Sequence, residues 1–265
     1  MLSSDREAFF NAAAKGFNFI PLAQSWPADL ETPLTTWLKV GDGNPPGVLL
    51  ESVEGGESLG RWSVVACDPL WTATSRRGRL VRQWRNGKID EAIGNPIAGL
   101  RQWLSPYRPG SLAGLPPLGQ LYGMWGFELI QWIESSVPVH LGDESDLPDG
   151  IWMLMDSILI FDQVKRLVTA VSYGDLTGRR KSVEIAFKSA LRRIKELKKR
   201  IEKPLSQTQP LKWQPKGESL LPTISNFKKS DFESAVETAK EHIALGDVFQ
   251  LVISQRLEAH VEQPD

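Results

Sequence analysis

Short segments in the first 175 residues alternate between apolar and polar side chains, or are apolar throughout, which is typical of β-strands. They predict strands at 48–52, 61–66, 71–75, 79–84, 151–161 and 165–172. The pairs Arg77-Gly78 and Asn86-Gly87 predict tight turns, because glycine and asparagine tolerate a positive φ. We therefore expect 71–75 and 79–84 to form a hairpin. The last two strands, joined by a turn near Asp162, should form a second hairpin that is buried.

A helical period of 3.6 appears in three later segments. Residues 96–104 predict a short amphipathic helix, and residues 181–203 predict a long one with a basic outer side. The apolar stripe of the long helix consists of Val183, Phe187, Leu191, Ile194, Leu197 and Ile201. Near the start of the chain, residues 7–22 mix helix formers with aromatic side chains and end around Pro21.

The third helical segment comes after residues 204–215, whose Pro, Ser, Gln and Thr are typical of a linker. We predict a first domain at 1–205, a linker at 206–218 and a second domain at 219–265. In the second domain Ser230 and Glu233 fit a capping box before a helix at 231–245. Gly246 fits the C-terminal cap of that helix, and a strand is expected at 248–257.

The order of these segments favours one fold class. Strand-period and helix-period segments do not alternate regularly, which predicts an α+β fold with largely antiparallel sheets rather than a doubly wound parallel sheet. The second domain offers one helix and one strand before Asp265, too little to bury both faces of a strand. We therefore expect a fold that is incomplete at its C-terminus unless the second unit completes the first.

Composition narrows the functional classes. Hydrophobic residues make up 41% of the chain, charged residues 24%, and the formal net charge is −1, which gives no general attraction to nucleic acid or anionic lipid. There is no apolar run of the ~20 residues that a membrane helix needs, and the start lacks a secretory signal pattern. The single cysteine, Cys67, follows an apolar run and should be a core residue. These features predict a cytoplasmic protein without membrane or nucleic-acid partners.

Generic catalytic motifs are mostly missing from the sequence. It contains no dinucleotide-binding glycine pattern, no phosphate-binding loop and no paired cysteines, and its three histidines lack ligand spacing, so we expect no metal site within it. A basic segment at 76–85, with Trp84 as a stacking surface, suggests nucleic-acid binding as one function. We favour a solvated hairpin face, because the charges are confined to one short hairpin.

Several segments, in order, resemble anthranilate synthase component I, the large subunit of a chorismate-utilising enzyme. They are Leu49-Leu50-Glu51-Ser52, Gly60 to Val64, Gly123 to Glu128, Asp146 to Asp149, Asp156 with Phe161-Asp162, and Gly246 to Arg256. Each match is weak alone, but their order and spacing extend over nearly the whole chain. The resemblance implies a layered sandwich fold.

The resemblance also implies an activity and a regulatory site. Family members convert chorismate to anthranilate and pyruvate, with Mg²⁺ and with ammonia from a glutamine amidotransferase subunit (component II), and tryptophan inhibits them. Leu50, Glu51 and Ser52 match the tryptophan-binding segment. A carboxylate at Glu51 can pair with an α-ammonium group, and the Ser52 hydroxyl can hydrogen-bond the polar groups of an amino acid.

Gln250 separates this chain from one branch of the superfamily. Isochorismate and salicylate synthases carry a general-base lysine at the matching position, and glutamine cannot titrate near neutral pH. Gln250 therefore fits enzymes that use ammonia as the nucleophile. Aminodeoxychorismate synthase component I also uses ammonia and remains an alternative, as does a non-catalytic amino-acid-sensing module.

The family members are much longer than this chain. Their magnesium carboxylates, their acid and base residues and the proline-led segment on the other side of the tryptophan site should all lie beyond Asp265. The resemblance therefore implies a catalytically incomplete fragment with no metal ligands of its own.

Overall fold

A computed structural model describes residues 6–41, 46–51, 60–116, 120–134, 136–137, 147–178, 182–205 and 223–259. The chain divides into two compact units, Met1–Thr208 and Gln209–Asp265. Within the described parts no helix is long and apolar enough to cross a membrane.

The first unit contains two antiparallel sheets of five strands each. The first sheet has the order β1-β10-β9-β3-β2, with β1 at Phe19–Pro27, β2 at Gly47–Leu50, β3 at Trp62–Cys67, β9 at Ser157–Asp162 and β10 at Leu167–Asp175. The second sheet has the order β6-β5-β4-β8-β7, with β4 at Trp71–Arg76, β5 at Arg79–Trp84, β6 at Ile89–Ile93, β7 at Leu121–Trp125 and β8 at Gly150–Leu154. This arrangement confirms the α+β class with antiparallel sheets.

Helices cover the two sheets of this unit. They are α1 at Arg6–Ala14, α2 at Pro33–Gly41, α3 at Pro96–Leu104, the 3₁₀ helix Phe127–Trp132 and α4 at Val183–Ile201. The predicted helices at 96–104 and 181–203 are thereby confirmed. Pro96 begins α3, and the Asn95 side chain caps it by accepting from the N–H groups of Ile97 and Ala98.

The first sheet is buried on both faces, which makes the unit a layered sandwich. Every residue of β9 is buried. One face packs on the apolar stripe of α4, including Phe187, Ala190 and Ile194. The other face packs on a second core cluster that includes Tyr122 and Met153 from the second sheet. The layers therefore run from helices through the first sheet to the second.

The predicted strand at 151–161 is wrong as a single element. The chain leaves the second sheet after β8, passes through Met155 and Asp156, and enters the first sheet as β9. The apolar run is nearly continuous because both strands lie in buried layers, and only the polar Asp156 and Ser157 interrupt it at the crossing. The buried hairpin predicted around Asp162 does form, between β9 and β10.

Other local predictions for this unit have mixed outcomes. The hairpin of β4 and β5 is confirmed, and its turn has positive φ at Arg77 (48°) and Gly78 (76°), as a type I′ turn requires. The stretch at 7–22 is not one helical element, because α1 ends at Ala14 and β1 begins at Phe19. The left-handed Gly16, at φ 88°, lies between them.

The second unit contains α5 at Lys229–Leu245 and a two-stranded sheet of β11 (Thr223–Ser225) and β12 (Leu257–Ala259). Gly246 has φ 81° and closes α5 as predicted. The capping box is wrong, because α5 begins before Ser230, whose hydroxyl bonds to the Asp231 carboxylate instead.

The strand predicted at 248–257 is also wrong. Residues 248–256 have no strand partner within the described part of the chain, and β12 begins only at Leu257. Phe249 and Val252 are exposed there. An apolar alternating segment becomes a strand only where another strand supplies hydrogen bonds and a core covers one face.

Candidate functional site

The segment matched to the tryptophan site follows an edge strand of the first sheet. Leu49 pairs with Val65 and Leu50 with Val64, and no described strand pairs with the other side of β2. The Leu50 side chain is 52% exposed, and Glu51 is exposed directly after the strand. Ser52 lies outside the described residues. The structure thus places Leu50 and Glu51 at a solvent-facing strand end, where a ligand could reach both.

An ion pair braces the neighbouring strand at the same end. Arg61 donates from Nε to Asp162 Oδ1 at 3.0 Å and from Nη2 to Oδ2 at 2.6 Å. Its guanidinium also lies 4.4 Å from the ring centre of Trp62. Burial raises the pKa of Asp162, but hydrogen bonds from Arg61 and from the Lys165 N–H outweigh it and leave that pKa below its ordinary value. These contacts therefore tie the start of β3 to the end of β9.

Gln250 belongs to the second unit. It is exposed and lies in the irregular stretch between α5 and β12. No hydrogen bond fixes its side chain among the described residues. The structure therefore gives Gln250 no partner that would define a catalytic role.

Sequence reasoning missed a buried ion cluster at the crossing between the two sheets. Asp156 is 4% exposed. Arg85 forms a bidentate pair with its carboxylate, with Nη1 3.1 Å from Oδ2 and Nη2 2.9 Å from Oδ1. Arg85 also donates from Nε to the Pro69 carbonyl at 3.1 Å and from Nη2 to the Asp68 carbonyl. The cluster ties the hairpin of the second sheet to the start of β9.

Arg193 of α4 completes this cluster. Its Nε donates to the hydroxyls of Ser172 at 2.9 Å and Ser157 at 3.2 Å, and lies 3.6 Å from Asp156 Oδ2. Its Nη2 donates to the Tyr173 carbonyl. Burial lowers the pKa of Arg193, and the Asp156 charge opposes that effect. The sequence signal was Asp156 itself, the one acidic residue inside a long apolar run.

Arginines of the basic segment at 76–85 pair with acidic residues of the neighbouring strand β6. Arg79 pairs with Glu91 across β5 and β6, and its side chain is exposed, in line with a solvated hairpin face. Arg82 departs from that interpretation, because its side chain is only 12% exposed. Its guanidinium lies 4.6 Å from the ring centre of Trp84 and 4.4 Å from that of Trp103.

Asp90 accepts hydrogen bonds from both Arg82 and Trp84, which stack on each other. It accepts from Trp84 Nε1 at 2.5 Å and from Arg82 Nη2 at 2.8 Å. The Trp84 hydrogen bond is the largest cause that lowers the pKa of Asp90 to about 2. Trp84 therefore has a structural partner and is not a free stacking surface.

Two further candidates have no catalytic geometry. Cys67 is buried, as predicted, and burial raises the pKa of its thiol to about 11, so it is protonated at neutral pH and a poor nucleophile. His242 pairs with Asp247 at 2.8 Å at the end of α5. Across the described ranges, no group of three or more His, Cys, Asp or Glu side chains could hold a metal ion.

The sandwich and the sequence together define a class of protein. Residues 64–265 match the family described as chorismate binding enzyme, and the chain belongs to that family. It is 43% identical to anthranilate synthase component 1 of Synechocystis sp. over 97% of this chain and 51% of that protein. It is 32% identical to the protein of the same name from Acetivibrio thermocellus, over 92% of this chain and 49% of that one.

A solved structure supports the fold. The crystal structure of anthranilate synthase component I from Streptococcus pneumoniae TIGR4 superposes with a TM-score of 0.53 at 24% identity. It covers 90% of this chain and 49% of that one. The layered antiparallel fold expected from the resemblance is thereby confirmed. The chain spans about half the length of the curated relatives it matches.

Proposed function

We propose that the chain forms part of an anthranilate synthase large subunit in the cytoplasm. The 43% identity to a relative of that name, sustained over 97% of the chain, carries this proposal. In the proposed reaction ammonia replaces the ring hydroxyl of chorismate, which leaves as water, and pyruvate is then eliminated to give anthranilate. A glutamine amidotransferase subunit would supply the ammonia.

The residues of this chain take limited roles in the proposal. Gln250 would lie where lysine acts as a general base in water-using relatives, and its amide excludes that chemistry. The expected Mg²⁺ does not fit the described residues, because they contain no cluster of ligands.

The proposed activity is tested by joining this chain to the remaining half of the Synechocystis relative. With chorismate, ammonium and Mg²⁺, the joined protein should produce anthranilate, detected by its fluorescence and by chromatography. Formation of aminodeoxychorismate instead would favour the alternative enzyme. A folded, chorismate-binding joined protein that produces neither compound would contradict the proposed function.

We also propose that Leu50, Glu51 and Ser52 form one wall of a tryptophan site. The exposed position of Leu50 and Glu51 at the end of β2 supports this assignment. In the joined protein, Ser52→Phe should remove the hydroxyl partner of the ligand and introduce a bulkier side chain. We expect the tryptophan concentration for half-inhibition to rise about tenfold or more, with turnover retained.

The matched control is Ser105→Phe at the exposed end of α3. This variant should leave inhibition unchanged. If Ser52→Phe and Ser105→Phe are inhibited equally, the tryptophan site has been placed wrongly.

A further inference from the structure

A cleft of about 330 Å³ lies beside the buried ion cluster in the first unit. Its walls come from α4, from the end of β3 and from the crossing between β8 and β9. Four arginines line it, Arg85, Arg192, Arg193 and Arg200. The residues at the end of β2 do not line it, so within the first unit it is distinct from the proposed tryptophan wall.

Two of these arginines are committed to the fold. Arg85 spends both terminal nitrogens on Asp156. Arg193 donates to the hydroxyls of three serines, including Ser189 Oγ at 2.9 Å, and to a backbone carbonyl. They set the positive potential of the cleft but have few donors left for a ligand.

The other two arginines retain donors that no described residue uses. Arg200 donates from Nη1 alone, to Asp68 Oδ2 at 2.7 Å, to the Val40 carbonyl at 3.1 Å and to Cys67 Sγ at 3.6 Å. Arg192 is exposed and makes no hydrogen bond or ion pair within the described part of the chain. The two residues are eight positions apart on α4, which is about 12 Å along a helix axis. Their long side chains can therefore reach a shared ligand from its two ends.

The charges of the cleft do not balance. Its four guanidinium groups face three carboxylates, those of Asp68, Asp156 and Glu196. Asp68 and Asp156 already pair with Arg200 and Arg85. The positive charges of Arg85 and Arg192 act on the partly buried Arg193, whose side chain is 21% exposed, in the same direction as its desolvation. A bound anion would relieve this repulsion.

We propose that this cleft binds a small organic dicarboxylate. One carboxylate would accept from Arg192 and the other from Arg200, and the carbon chain would lie against Leu197 and the Cys67 thiol, which also line the cleft. Two arginines that leave the helix about two turns apart suit a ligand with two carboxylates better than one compact phosphate. The site is distinct from the tryptophan wall proposed above.

Calorimetric titration of the whole chain tests this proposal, with succinate, glutarate, acetate and inorganic phosphate compared at constant ionic strength. Succinate or glutarate should bind at least about tenfold more tightly than acetate, since one charged contact is lost with the monocarboxylate. Arg192→Gln should weaken dicarboxylate binding by about tenfold. Its unfolding temperature without ligand should not fall, because Arg192 makes no hydrogen bond or ion pair with any described residue and its charge repels that of Arg193.

Lys195→Gln is the matched control, because Lys195 is exposed on the same helix and does not line the cleft. It should leave binding within about twofold, the size of a screened surface charge. Equal weakening by both variants would show general charge attraction and overturn the proposal. Tighter binding of phosphate than of any dicarboxylate, or no binding of either dicarboxylate at millimolar concentration, would overturn it as well.

Discussion

Asp156→Ala is expected to destabilise the first unit by about 3–5 kcal/mol, because it leaves a buried cation without its counter-charge. Arg193 is largely desolvated, and its remaining contacts are neutral oxygens. Arg85 can turn partly toward water, since its side chain is 41% exposed, which places the expected cost nearer the lower limit. Denaturant unfolding followed by tryptophan fluorescence measures the change, since Trp71 and Trp152 are fully buried.

The control for Asp156→Ala is Glu91→Ala, which removes the exposed partner of Arg79. That pair is open to solvent, so its loss should change the free energy of unfolding much less. A second variant, Asp156→Ala with Arg193→Met, should recover part of the loss, because the buried cation is then removed too. Equal destabilisation by Asp156→Ala and Glu91→Ala would contradict the structural importance of this cluster.

Elements defined by neighbouring residues could be predicted from the sequence. The turn at Arg77-Gly78 depends on the φ preference of its own residues, and the strands on either side follow from alternation. The helix α4 follows from its apolar stripe, because all the stripe residues lie on one helix face. In these places local preference and tertiary packing agree.

Elements defined by distant partners could not be predicted. The break between β8 and β9 depends on where two sheets meet, and a continuous apolar run does not show it. The Arg85–Asp156 pair joins residues 71 positions apart. Residues 248–256 show the reverse case, in which a strand-like pattern finds no strand to pair with in the described residues. Local periodicity states what a segment can form, and long-range contacts decide whether it does.

The candidate tryptophan segment was found through resemblance and not through its chemistry. A glutamate and a serine after a short strand are common, and no pattern around Leu50 or Glu51 separates a ligand wall from an ordinary strand end. The structure adds that both residues are accessible. Whether Leu50 and Glu51 bind a ligand depends on the residues that face them across a pocket, and the identity of Leu50 and Glu51 does not reveal those residues.

Gly150→Ala is expected to destabilise the first unit by about 1–3 kcal/mol through overpacking. The indole of Trp152 lies over Gly150, and a Cβ at that position would be 2.4 Å from its ring. Gly150 pairs with Ser75 in β4, so the backbone cannot move away without disturbing the sheet. Because the obstacle is a side chain, Trp152→Leu should remove most of the cost of Gly150→Ala, as measured by a double-mutant cycle of unfolding free energies.

Gly123 provides the test that separates this mechanism from a general intolerance of the sheet. A Cβ on Gly123 would be 2.3 Å from the Ile151 carbonyl oxygen, which is backbone, as well as 2.7 Å from the Trp152 ring. Gly123→Ala should therefore remain costly in the Trp152→Leu background. Gly41→Ala at the end of α2, where the nearest described atom to a Cβ would be a ring carbon of Trp37 at 4.0 Å, should be tolerated. Rescue of Gly123→Ala and Gly150→Ala to the same extent would show that Trp152, and not the β8 backbone, excludes side chains from both positions.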